Sequence, residues 1–155
     1  MKLFRFAAGL AILATEAYAL FENLEPLDES SWEDKVMNSD DAWMITFYAD
    51  WCPYCKPFAE EISQAQIADE LKDKRVRFGA VDVMANRSLT SKYGIKRSPS
   101  IKVFGGDKQN PKDYLGHRKA ADMATYLSQY AINNGFVVEK ELEVQDSQPT
   151  EMLQA

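Results

Sequence analysis

Two cysteines and one histidine are the only thiol and imidazole ligands this 155-residue chain offers. Tetrahedral zinc takes about four protein ligands in a structural site, and His117 lies far from Cys52 and Cys55 in sequence, so a zinc centre has too few donors. So few cysteines also exclude a disulfide-braced scaffold. The fold must stand on its apolar residues, and with 46% of the chain hydrophobic it can form one compact domain with its own core. Lys and Arg nowhere collect into a block, and the formal net charge is -6. That balance argues against a nucleic-acid or anionic-membrane partner. No internal repeat and no low-complexity linker divides the chain.

Long hydrophobic runs are missing too, apart from the N-terminus. Lys2 and Arg5 precede the apolar stretch Phe6 to Ala14, and Ala17-Tyr18-Ala19 is a small-x-small cleavage pattern, so residues 1–19 read as a secretory signal. The apolar stretch is shorter than the roughly 20 residues a membrane span requires, although an uncleaved anchor is the alternative reading. Cleavage leaves a domain over 20–136 and an acidic, flexible tail over 137–155 with no membrane contact. Entry into an oxidising compartment makes a disulfide between Cys52 and Cys55 available. The C-terminal Glu151-Met152-Leu153-Gln154-Ala155 is not a Lys/His-Asp-Glu-Leu retrieval signal, which leaves both the endoplasmic reticulum lumen and secretion open.

The pattern along the domain alternates strand and helix. Asn23 to Leu27 suggests a short edge strand, tolerant of Pro26. Ser31 with Asp34 resembles a capping pair for a helix to about Asn38. Trp43 to Ala49 is a nearly continuous apolar strand of the kind buried on both faces. A helix follows from Pro53 to about Lys72, bent at Pro57. Val76 to Asp82, Ser100 to Phe104 and Asp113 to Leu115 read as strands. Ser88 to Tyr93 and Ala120 to Ile132 read as helices closed by Gly94 and by Asn134-Gly135. The sum is an α/β architecture with a mixed central sheet flanked by helices.

Chemistry concentrates at Trp51-Cys52-Pro53-Tyr54-Cys55-Lys56, where the two cysteines stand three positions apart directly after the apolar strand. A strand that delivers Cys-x-x-Cys onto a helix N-terminus places one thiol where unpaired N–H groups and the helix dipole favour its thiolate. An inert stabilising disulfide is the competing reading, but so short a loop restrains the unfolded chain weakly.

Three separated segments, Phe47 to Lys56, Lys92 to Ile101 and Phe104 to Arg118, resemble the thioredoxin superfamily, and within it the A6-type branch of the protein disulfide isomerases. The resemblance covers about Leu24 to Asn133 and implies a thioredoxin fold with no cofactor. It implies that Cys52 is the attacking thiol, with an exposed sulfur, and Cys55 the resolving one. Pro99 matches the family's cis-proline, which together with the Ser98 backbone aligns an extended client strand; an ordinary loop proline is the alternative. Trp51 would shelve the substrate. Arg118 matches an arginine that lowers the pKa of the second cysteine, or else is a solvated residue at the start of the last helix. Lys56 either adds positive potential near the cysteines or is an ordinary exposed lysine. Asn86-Arg87-Ser88 fits the glycosylation acceptor pattern just before a predicted surface helix, or is a chance triplet.

Two departures from the family bear on mechanism. Thr46 stands where members often carry a buried acid under the second cysteine, so deprotonation of Cys55 lacks its base and its attack should be slow. Pro53-Tyr54 replaces the isomerases' Gly-His, which lowers oxidising power; Cys-Pro-Tyr-Cys is instead the glutaredoxin tetrapeptide. The sequence therefore implies a thiol–disulfide oxidoreductase or isomerase acting on client proteins in the secretory pathway, with glutathione or other isomerases as further partners. A glutathione-dependent reductase and a redox-inert binding module are the rival readings.

Overall fold

The computed structural model describes residues 20–138. The secretory signal expected over residues 1–19 and the tail expected toward the C-terminus fall on residues 1–19 and 139–155, outside the described residues.

Ten short elements follow in order: β1 Glu25–Pro26, a π-helical turn Glu33–Met37, β2 Ala42–Tyr48, α1 Cys55–Gln66, a 3-10 turn Asp69–Leu71, β3 Val76–Asp82, α2 Arg87–Lys92, β4 Ser100–Phe104, β5 Lys112–Asp113 and α3 Ala120–Asn133. The five strands form one sheet in the order β1-β3-β2-β4-β5. β1 and β2 run parallel to β3, while β4 is antiparallel to both β2 and β5. The expected mixed α/β sheet is the one observed.

β2 lies at the centre because every residue from Ala42 to Phe47 is buried, and burial on both faces needs helices on both sides. Its alternation divides the core. Met44 packs with Ile62 of α1 and with Met123 and Leu127 of α3, whereas Trp43, Ile45 and Phe47 pack with Trp32, Val36, Leu89 and Tyr93. Fully burying each such side chain contributes about 1.5–3 kcal/mol. On the second face the Trp32, Tyr93 and Phe104 rings meet at centroid distances of 5.2–5.3 Å, and the Trp32 indole N–H donates to the Tyr93 hydroxyl at 3.1 Å. That contact anchors the start of the segment leading from α2 to β4.

Both predicted glycine stops hold. After α2, Gly94 takes φ 63°, its N–H donates to the Ser91 carbonyl at 3.2 Å, and the Ile95 N–H donates to Thr90 at 2.9 Å. After α3, Gly135 takes φ 75° and the Phe136 N–H donates to Ala131 at 2.8 Å. These paired bonds satisfy the last helical carbonyls.

Several local expectations are corrected. Between residues 31 and 38 the structure has a π-helical turn, and its entry is fixed by Asp28 with Ser31, not Ser31 with Asp34. The Ser31 N–H donates to Asp28 Oδ1 at 2.8 Å and the Asp28 N–H to Ser31 Oγ at 3.1 Å. The long helix ends at Gln66 because Ala68 adopts extended backbone, φ -63° and ψ 137°, before the 3-10 turn. Residues 137 and 138 are tied to the domain: Val137 bridges Lys74, and the Val138 N–H donates to Asp73 at 3.0 Å. The paired chain thus runs two residues past the expected boundary at 136.

Candidate active site

The end of β2 and the start of β4 meet because the two strands are antiparallel neighbours, with Phe47 opposite Ser100. Past Tyr48 the chain turns tightly: the Cys52 N–H donates to Ala49 at 3.0 Å and the Cys55 N–H to Cys52 at 3.2 Å. Cys55 then opens α1. Pro57 accordingly falls in the first helical turn, where its missing N–H removes no intrahelical bond, and the reason for expecting a bend disappears.

Facing this turn is the loop before β4, whose Ser98-Pro99 peptide bond is cis, as the family resemblance implied. Both cysteines are free thiols, and the Cys52 Sγ donates to the Ser98 carbonyl at 3.3 Å. The Ser98 loop covers Cys52, which is only 2% exposed; the exposed sulfur expected from the sequence is not found. A client must displace this contact to reach the sulfur.

Cys55 is fully buried. That burial, reinforced by the hydrogen bond with Cys52, pushes its thiol up to about 12, while the Ala49 backbone and the positive charge of Arg118 act in the opposite direction. Arg118 stands beside the dithiol: its Nη2 donates to the Pro99 carbonyl at 3.0 Å, and its Cζ lies 5.9 Å from the centroid of the Phe58 ring. Trp51, 72% exposed, flanks the first cysteine as a free aromatic surface.

Lys56 does not join this group. It is exposed on α1 and lines a separate groove with Leu20 and Glu22, and the cation that acts on Cys55 is Arg118. Asn86 is not a surface acceptor either. It is 6% exposed, with its Oδ1 accepting from the Glu29 N–H and its Nδ2, the atom a glycan would need, donating to the Asp82 carbonyl, both at 3.0 Å. The residue clamps the 82–86 turn to the 28–31 turn.

By the alternation of β2, Thr46 faces the same side as Met44, toward α1 and α3. It is fully buried, and among the described residues its Oγ1 is the one buried side-chain polar atom without a hydrogen-bond partner.

Sequence reasoning missed Glu61, which is on α1 but caps α3. Its carboxylate accepts from the Ala120 N–H at 2.9 Å and from Lys119 Nζ at 2.7 Å, and those bonds lower its pKa. Tyr54, read in the sequence only as part of the tetrapeptide, is 74% exposed between the cysteines.

A free dithiol at the strand-to-helix turn, facing a cis-proline loop across a mixed sheet, defines a thioredoxin-fold dithiol domain. The chain belongs to the thioredoxin family, whose Thioredoxin model matches residues 23–129. It is 38% identical over 118 residues to the protein disulfide-isomerase A6 homolog of Caenorhabditis elegans, covering 76% of this chain and 26% of that protein. It is 39% identical over 101 residues to protein disulfide-isomerase A6 of Homo sapiens, covering 65% of this chain and 22% of that one. The chain thus spans about a quarter of the length of these curated relatives. The solution structure of the first thioredoxin domain of mouse protein disulfide-isomerase A4 shares the fold, with a TM-score of 0.59 and 22% identity over 86% of this chain and 84% of that domain.

Proposed function

We propose that this protein is a thiol–disulfide oxidoreductase that forms, reduces or rearranges disulfides in client proteins of the secretory pathway. The observation that carries this reading is the Cys52 Sγ held 3.3 Å from the Ser98 carbonyl, with Cys55 buried one helical turn away. A client strand paired with the Ser98 backbone brings its disulfide to Cys52. The Cys52 thiolate attacks one client sulfur, forming a mixed disulfide and expelling the other as a thiolate. Cys55, deprotonated, attacks Cys52 Sγ, which closes the Cys52–Cys55 disulfide and releases the second client thiol. The client disulfide gains two electrons and the protein dithiol loses them; the reverse order oxidises a client dithiol.

Arg118 joins the Pro99 carbonyl to the charge felt by Cys55 and supports the resolving step, and Trp51 offers an apolar shelf beside the attacked sulfur. Residues 1–19 support entry into the secretory pathway, where glutathione or larger isomerases would exchange electrons with the pair. The domain spans 20–138, followed by an acidic tail. The test is the regain of activity by a scrambled disulfide-containing client enzyme in a glutathione redox buffer. Wild type is expected to accelerate it and Cys52→Ser to abolish the acceleration; equal rates with the two proteins would overturn the reading.

A further inference from the structure

A groove of about 350 Å³ opens beside the cis-proline, with Pro99 but not Cys52 in its lining. Pro99 lines it, along with Lys96, Arg97, Lys102, Asp113 and Arg118. Its one acid is already committed: Asp113 accepts from Lys102 Nζ at 2.6 Å. Lys96 and Arg97 are exposed and, among the described residues, have no ion pair. The remaining cation, Arg118, lines the groove and donates one guanidinium hydrogen bond to the Pro99 carbonyl, and among the described residues it too has no ion pair. Three uncompensated cations therefore surround a concave site on a chain whose net charge is -6. A cleft lined by one sign of charge with low-dielectric walls concentrates ligands of the opposite sign. Leu115, 85% exposed in the same lining, adds an apolar wall.

The groove is one residue from the carbonyl that holds Cys52, and an extended client advances about 3.3 Å per residue. Side chains within a few residues of a client cysteine are therefore within reach of it. We infer that this groove selects clients carrying Asp or Glu within about three residues of the disulfide that Cys52 attacks. Lys96 and Arg97 are the specificity-determining residues, and the carboxylate forms charge-assisted hydrogen bonds with them during encounter. The inference rests on the dithiol function proposed above and adds its substrate class.

The experiment uses peptide homodisulfides that differ only in carrying Glu or isosteric Gln beside the cysteine. The reduced protein is mixed with each under second-order conditions, and each rate is divided by that of dithiothreitol with the same peptide to remove intrinsic reactivity. The Glu peptide is expected to react about tenfold faster than the Gln peptide at low ionic strength, with the ratio falling toward one in about 1 M salt. In Lys96→Gln/Arg97→Gln the ratio is expected near one at all salt concentrations. A wild-type ratio of one, or a ratio unchanged in the double variant, overturns the inference. Glutathione disulfide, which also carries carboxylates, forms a separate arm: if the double variant slows its reduction while the peptides show no Glu preference, the groove serves the small thiol and the inference fails. Failure of the dithiol function itself is distinguishable, because then no peptide reacts.

Discussion

Resolution of the mixed disulfide depends on a thiol that the fold keeps protonated. Cys55 is raised from 9.0 to about 12, chiefly by burial. In the free dithiol at pH 7 its thiolate fraction is therefore about 10⁻⁵, against about 10⁻² for an unperturbed thiol; the burial persists in the mixed disulfide but the hydrogen bond with the Cys52 thiol does not, so a thousandfold deficit is the upper bound there. A more basic thiolate is a better nucleophile, with a Brønsted coefficient of about 0.4–0.5, which returns roughly twentyfold. The resolving step is therefore expected to be slowed relative to an unperturbed thiol, by up to about fiftyfold. Thr46 supplies no remedy: its hydroxyl is buried on the α1-facing side of β2, but it cannot act as a base at neutral pH.

The perturbation is Thr46→Glu, which places a proton acceptor in that layer. General-base assistance contributes about 10²–10⁴-fold where its geometry is right, so a gain of at least tenfold in resolution at pH 7 is expected. The assay mixes reduced protein with a client disulfide, quenches with acid at intervals, and follows the Cys52–client species by mass. In wild type the species accumulates, and its decay accelerates about tenfold per pH unit from neutrality upward, without levelling before the Cys55 titration. In Thr46→Glu the decay is faster at pH 7 and less steep in pH. Equal decay rates for the two proteins at pH 7, or a wild-type profile that flattens below about pH 9, would refute the reasoning. A long-lived mixed disulfide favours rearrangement of scrambled clients over net oxidation.

Three further outcomes are expected. Thr46→Val removes the unpartnered Oγ1 while keeping the shape, and chemical denaturation is expected to show a gain of about 1–2 kcal/mol; a loss would mean that the hydroxyl is satisfied in solution. Gly94→Ala forces a side chain onto φ 63° and is expected to destabilise by about 1 kcal/mol, read from the denaturation midpoint, with Gly135→Ala at φ 75° behaving alike. Asp28 is lowered from 3.8 to about 2, first by the Ser30 side chain and then by Ser31, so its contribution is present above pH 3.8 and is lost as pH falls through about 2. Asp28→Ala is therefore expected to give a shallower acid-unfolding curve across that window; an unchanged slope would count against the Asp28 hydrogen bonds from Ser30 and Ser31 as its cause.

What the sequence made legible was whatever is coded locally. The apolar run of β2, the strand over Ser100–Phe104 and the glycine stops at Gly94 and Gly135 all follow from pattern and backbone conformation, as did the paired cysteines, whereas the cis-proline followed from the family resemblance. What could not be read is set by partners distant in sequence. Glu61 caps a helix 59 residues away, so no local motif announces it. Asn86 is claimed by Glu29, 57 residues away, which turns an apparent acceptor triplet into a structural clamp. Cys52 is covered by a carbonyl 46 residues away, so its burial was invisible in the tetrapeptide. The helix boundary at Gln66 was missed because apolar spacing continues through Ile67 and Leu71 although Ala68 leaves the helix.

Strand register, more than the cysteine motif, assembles the site. β2 and β3 are parallel with Tyr48 opposite Asp82, and β2 and β4 antiparallel with Phe47 opposite Ser100. The exits of β2 and β3 and the approach to β4 therefore converge at one end of the sheet, where unpaired loop backbone is free to meet a client. A one-residue slip between β2 and β4 would exchange the faces of Trp43, Ile45 and Phe47 with that of Met44, which the two buried layers forbid. The same packing that stabilises the fold consequently fixes the Ser98 carbonyl against Cys52. Arg118 joins the arrangement from the loop before α3, whose first N–H is held by Glu61 of α1. Helix α1 thus carries Cys55 at its start and, through Glu61, anchors the entry of α3 that brings in the cation acting on Cys55, so the resolving thiol and the charge opposing its burial are positioned by one rigid element.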